Sequence, residues 1–273
     1  MIVKAGNCVL LAALALSACS EGQPAAATNA SQVAPVNAAG PVTAPPPAAE
    51  AVKIERKDKL LEFEYGWPAQ AAAIMQLDAW LHSHADGQFE KAHREAEDGL
   101  ESAEANDYPF NPYSYQQTWG VVADTPDALV MDSDGYTYTG GAHGMPFTTS
   151  LIWDRKARKR LATKDVIDVG QLAAVARAPF CRELERQRIE KRGGEADLGG
   201  TITEFDQCVA VTDGEIVPMS RGGRALDTIL IVLGPYVAGP YVEGSYVIEL
   251  PVDAKLMGAV KPAYRGWFAS GTP

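Results

Sequence analysis

"YSYQQTWGVVADTPDALVMDSDGYTYTGGAHGMPFTTSLIW", residues 113–153, reads as three strands in succession. The turn DTPD joins YSYQQTWGVVAD to ALVMDSDGYTYTGG, and PFTTSLIW follows as the third. Tyr136 and Tyr138 alternate with Thr137 and Thr139 until Gly140 and Gly141 break the pattern and deliver His143. Glycines tolerate backbone angles closed to other residues, so a sharp corner is expected there. His143 is expected to hydrogen-bond neighbouring backbone and pin that corner, with Gly144 allowing close approach. A ligand-binding His143 is the alternative.

Upstream of this core, "KLLEFEYGWP" places Leu61, Phe63 and Tyr65 on one strand face, and Pro68 suits a helix's first turn. Ile74, Leu77 and Leu81 then recur at helical spacing, and helical character resumes after Gly87. His82 and His84 resemble a ligand pair, but residues two apart on a helix diverge too far to share one metal easily. They are read as solvated.

Downstream, "DRKARK" is a polar turn leading to "RLAT". A helix begins near Lys164, is expected to break at Pro179, and continues through "CRELERQRIEKRGG". Strands return in "GEIVPMS", "LDTILIVL" and "SYVIELPV", and a short helix in "DAKLMGAVKPA" closes the chain. The class is α+β, a mostly antiparallel sheet packed with two main helices.

The N-terminus addresses location. "MIVKAGNCVLLAALALSACS" has one charged residue, Lys4, an apolar run and then small residues, the build of a secretory signal peptide over residues 1–18. Leu16-Ser17-Ala18-Cys19 resembles a bacterial lipobox, which implies acylation of Cys19; the alternative is an ordinary signal peptide with a chance cysteine. Residues 19–51 are rich in Ala and Pro without an apolar period and read as a tether. The folded domain is expected over residues 52–273. Ser20 after the anchor cysteine implies the periplasmic face of the outer membrane in a two-membrane bacterium. Cys181 and Cys208 remain as an even pair in an oxidising compartment and read as a disulfide.

The formal net charge is −11, and removing residues 1–18 takes away Lys4 and leaves −12. Such a domain is a poor nucleic-acid binder and favours cationic partners. Standard catalytic, phosphate-cradling and dinucleotide signatures are missing, and no cofactor or metal site is expected. A small hydrolase would need His143, Ser150 and Asp154 to meet in space. The basic cluster "RKARKRLATK" suits either an anionic envelope polymer or a solvated hairpin. Tyr236, Tyr241 and Tyr246 suit either a sugar-stacking shelf or a packed loop.

Gly140 to His143, Lys164 to Ile167, and Pro235, Tyr236, Gly244 and Val247 to Pro251 together resemble the extracytoplasmic domain of RsiV-type lysozyme-sensing anti-sigma factors. The same domain precedes the catalytic part of PdaC-type peptidoglycan deacetylases. The resemblance covers roughly residues 52–262. It implies an exported binding domain for a cationic lysozyme-like protein or a cell-wall glycan; the lipobox, separately, implies membrane contact only through a lipid anchor.

Overall fold

The computed structural model of the protein describes residues 49–194 and 203–271, with backbone alone at 203 and 204. The expected leader, Cys19 and the tether up to residue 48 lie outside the described residues. So does the middle of the Gly-rich segment between the two cysteines.

Strand β1 (Val52–Lys57) turns through Asp58, whose carboxylate accepts the Leu60 and Leu61 amides, into antiparallel β2 (Leu61–Trp67). Leu61, Phe63, Tyr65 and Trp67 are buried together, as their alternation predicts. Strand β1 was not foreseen. Its VKIERK sequence exposes Lys53, Glu55 and Lys57, and Lys53 and Lys57 pair across the hairpin with Glu64 and Glu62.

After Pro68 comes a single turn, α1 (Ala69–Ala72), and then α2 (Met75–Ala105) runs for 31 residues. The expected break at Gly87 does not occur. A mid-helix glycine costs about 1 kcal/mol relative to alanine. Burial of Leu77, Leu81, Ala85, Ala92 and Ala96 on one continuous stripe outweighs that cost.

Helix α2 is the crossover between β2 and its parallel neighbour β3 (Tyr113–Asp124). From there β4 (Ala128–Tyr138), β5 (Met145–Asp154) and β6 (Lys159–Leu161) follow as an antiparallel meander, completing a sheet ordered β1 to β6. The odd positions Leu129, Met131, Leu151 and Trp153 pack toward α2, and the even positions Ala128, Val130 and Ile152 pack the opposite way. A bulge at Val122 shifts the register of β3, so Ala123 joins the even-side core. The Val122 carbonyl accepts the Ser220 amide of the second sheet at 3.2 Å.

The even side is covered by α3 (Thr163–Val166), α4 (Val169–Lys191), the antiparallel sheet β7 (Glu215–Met219), β8 (Thr228–Leu233) and β9 (Tyr246–Pro251), and α5 (Ala254–Ala259). Among the described residues, nine strands, antiparallel except at β2–β3, with two long helices, establish the α+β class. Among the described residues no helix is long and apolar enough to cross a membrane.

Helix α4 departs from expectation by running unbroken through Pro179. An interior proline costs about 3 kcal/mol. Here Leu172, Ala176, Phe180, Leu184 and Arg188 form one fully buried seam on both sides of it, and that seam holds the helix together. Cys181 on α4 is bonded to Cys208, with Cα atoms 5.5 Å apart.

The last turns of α4 carry cations that grip the loop before β9. Arg188, 1% exposed, donates from Nε to the Ala238 carbonyl at 3.0 Å and from Nη2 to that of Gln207 at 3.0 Å. The Lys191 ammonium donates to the Glu243 and Ser245 carbonyls, both at 2.6 Å. Arg192 Nε meets the Glu243 carboxylate at 2.8 Å, and that carboxylate also accepts the Tyr246 hydroxyl. Burial pushes Glu243 upward, yet the hydrogen bonds from Arg192 and Tyr246 outweigh it and hold the carboxyl below its ordinary 4.5.

A depressed carboxyl stabilises the fold above its unfolded pKa, and this contribution fades as pH falls through the folded value. Glu243→Gln should therefore destabilise the protein by about 1.5–3 kcal/mol at pH 7. The deficit should shrink below pH 4.5. Urea denaturation of both proteins across that range measures it, and a pH-independent difference would refute the assignment.

Candidate functional site

The glycine corner is built as its residues dictate. Gly140 and Gly141 have φ of +91° and +85°, and a Cβ on Gly144 would overlap the Thr137 carbonyl and the Tyr136 ring. His143 Nδ1 donates to the Gly144 carbonyl at 3.1 Å, which leaves Nε2 to accept the Tyr236 hydroxyl at 3.2 Å. The imidazole stacks on Tyr241 with centroids 3.9 Å apart, and the Tyr241 hydroxyl donates to the same Gly144 carbonyl at 2.9 Å. Tyr236 reaches His143 from a backbone φ of +66°, a strained conformation for a residue with a side chain.

Two of the three singled-out tyrosines therefore meet at His143, and the third does not. Tyr246 is fully buried at the start of β9, with the Lys191 ammonium 4.1 Å from its ring centroid. A three-tyrosine shelf is not formed. The fold needs the Tyr246 ring inside because it faces the α4 seam.

Nor do His143, Ser150 and Asp154 assemble into a triad. Ser150 donates its hydroxyl to Glu215 on β7, and Asp154 accepts the Ala157 amide in the turn before β6. The two lie four residues apart on β5, about 13 Å along the strand.

A cleft of about 600 Å³ opens on the odd side of the sheet, beside α2. Trp80, His84, Gln88 and Lys91 project into it from α2 at spacings of four, four and three residues, one helical stripe. Tyr115, Trp119, Phe147 and Thr149 form its floor and Arg160 of β6 its far rim. The Arg160 guanidinium stacks over the Trp80 ring at 4.1 Å.

His84 is half-buried here, not solvated as its sequence context suggested, whereas His82 is exposed and sets its ring edge-on against Trp67. The Trp119 indole, which can only donate, donates to the Tyr65 hydroxyl at 2.7 Å. That buried hydroxyl lies 2.8 Å from His84 Nδ1, and the Gln88 side-chain nitrogen lies 3.2 Å from His84 Nε2. Burial, and secondarily the Arg160 charge, hold the His84 pKa below 6.5.

Under the floor, Tyr115 donates to Gln117 Oε1 at 2.7 Å, and Gln117 Nε2 donates to Ser133 and Thr149 at 2.9 and 3.1 Å. Among the described residues no buried side-chain polar atom lacks a partner, and no three metal-ligating side chains converge.

The α2 stripe of the cleft is present in the sequence as a spacing and was missed because Gly87 was read as a helix break. Nothing in the sequence joins Trp80 to Arg160, eighty residues later.

Residues 54–146 match the family model described as Deacetylase PdaC. The match spans β1 to β4, α2 and the glycine corner, and over those residues it bears out the resemblance to RsiV/PdaC-type domains. It supports an envelope-associated domain. Two solved structures are similar. One is a DUF3298 family protein from Pseudomonas aeruginosa, with 16% identity, TM-score 0.46, and coverage of 82% of this chain and 98% of that one. The other is a DUF3298 family member from Bacteroides fragilis, with 16% identity, TM-score 0.45, and coverage of 81% and 97%. No curated protein matches the chain.

A histidine-detected NMR titration should give His84 a midpoint below 6.5, moved upward but not fully restored by Arg160→Gln, since burial is the larger cause. Between that midpoint and 6.5 the unfolded chain binds more protons, so stability should fall as pH drops through this window. An unshifted His84 would refute its placement in the cleft wall beside Arg160. His143→Ala should lower Tm by about 2–4 °C through loss of the stack on Tyr241. It should leave binding in the cleft intact, which a ligand titration of the variant checks.

Proposed function

We propose that the protein is a lipid-anchored envelope binding module that holds cell-wall glycan fragments in the cleft beside α2. The cleft is the observation that carries this reading. Its volume of about 600 Å³ suits a small ligand, and it combines aromatic side chains with a hydrogen-bonding floor. A sugar needs both, because its ring faces are apolar and its rim is hydroxylated. Acylation at Cys19 and the Ala/Pro-rich tether, on the periplasmic side of an outer membrane, belong to the same proposal and would set the cleft within reach of the wall. The hydrolase alternative draws no support from His143, whose two ring nitrogens are both engaged.

A second reading rests on a separate observation. Glu95, Glu97, Asp98, Glu101 and Glu104 are exposed on the second half of α2, whose last turn has no basic residue. Acidic groups at a helix C-terminus oppose its dipole, and that arrangement suits a cationic lysozyme-like partner.

Calorimetric titration of the full chain with soluble peptidoglycan fragments and with a cationic lysozyme, at low and physiological salt, separates the two. The glycan reading expects saturable binding of fragments that survives physiological salt and weakens about tenfold, or ~1.4 kcal/mol, in Phe147→Ala. Fragments that bind equally well to Phe147→Ala and wild type would sink it. Lysozyme binding abolished by joint Glu97→Lys, Glu101→Lys and Glu104→Lys would support the second reading.

A further inference from the structure

We infer that the cleft selects a carboxylate-bearing sugar over its neutral counterpart; the inference rests on the glycan reading above and names the ligand class of that site. It follows from where the protons lie. The Ser133 hydroxyl, wholly buried, accepts from Gln117 Nε2 at 2.9 Å and from the Thr149 amide at 3.3 Å. Its own proton then has one place to go, the Thr149 hydroxyl oxygen 2.8 Å away. Thr149 Oγ1 also accepts from Gln117 at 3.1 Å, so both its acceptor positions are filled and its hydroxyl proton is left to face the cleft.

The second chain also brings a donor to the cleft wall. Trp119 donates to the Tyr65 hydroxyl, which lies 2.8 Å from His84 Nδ1, and the Gln88 side-chain nitrogen lies 3.2 Å from His84 Nε2. That nitrogen carries two N–H groups, so one remains beyond the contact with His84.

The cations on the rim point to the same ligand chemistry. Arg160 makes no ion pair or side-chain hydrogen bond among the described residues, although the chain has 35 acidic against 24 basic side chains. Stacking on Trp80 fixes the guanidinium plane and leaves its in-plane N–H fork free. Lys91 lines the same cleft and among the described residues pairs only with Glu95, at 3.7 Å. A lining of donors and cations is complementary to an anion, and a planar fork beside hydroxyl and amide donors suits a carboxylate.

N-acetylglucosamine and N-acetylmuramic acid share a ring and differ by a lactyl ether carrying one carboxylate. Both should be titrated into the full-length wild-type chain and followed by NMR shifts at Thr149, Gln88 and Arg160, with free lactate as a third arm. The expected result is at least tenfold tighter binding of N-acetylmuramic acid than of the neutral sugar, with lactate much weaker than either. In Arg160→Gln the ratio of the two affinities should fall to within about twofold, whatever the change in neutral binding, and Arg160→Lys should recover part of it. Equal or tighter binding of the neutral sugar by wild type overturns the inference and leaves the glycan reading standing. Lactate binding as tightly as N-acetylmuramic acid, or no shifts from either sugar, overturns both.

Discussion

Strands β4 and β5 have no solvent face where the start of β4 pairs with the end of β5. Ala128, Leu129, Val130 and Met131 are all fully buried, and so is Ile152 opposite them. Because successive side chains leave a strand on opposite sides, such a run requires a layer on each face of the sheet. Helix α2 supplies one layer, and α4 with the second sheet supplies the other. Each large apolar side chain buried this way contributes about 1.5–3 kcal/mol, so neither layer is dispensable. The bulge at Val122 serves the same constraint. It reverses the facing of β3 where the second sheet arrives and frees a carbonyl for Ser220 to use.

The second layer also governs the glycine corner. Tyr236 and Tyr241, which meet His143, ride on the loop that Arg188, Lys191 and Arg192 grip at the end of α4. The same helix is bonded near its middle through Cys181 to Cys208. The corner between β4 and β5 is therefore positioned by residues distant in sequence.

Much of this was legible from local pattern. The alternation in 113–153, the glycine pair before His143 and the even cysteine pair each carry their meaning within a few residues. What escaped involved competition between local cost and distant packing. Gly87 and Pro179 read as breaks because their penalties are local, whereas the buried stripes that override them are set by partners elsewhere. The parallel pairing of β2 with β3, across α2, leaves no mark in either strand. The cleft was half visible: its α2 stripe is periodic, but the Trp80–Arg160 contact exists only once β6 is added to the sheet. Tyr246 begins strand β9 with its ring turned inward, whereas Tyr236 and Tyr241 lie in the loop before it, and composition does not record that.

The outer rims of the two sheets bear on a different matter. Unpaired strand edges are templates for adding further chains, and a protein confined to a surface would meet copies of itself at high local density. Strand β1 answers with alternating Lys53, Glu55 and Lys57, and β6 is only three residues long. Strand β7 contains Pro218, which has no amide proton to offer, and on β9 the Val247 carbonyl is already taken by Gln187 of α4 at 2.8 Å. Every margin at which a neighbour could extend either sheet is thus charged, short, interrupted or occupied, and close crowding need not lead to fibrous accretion.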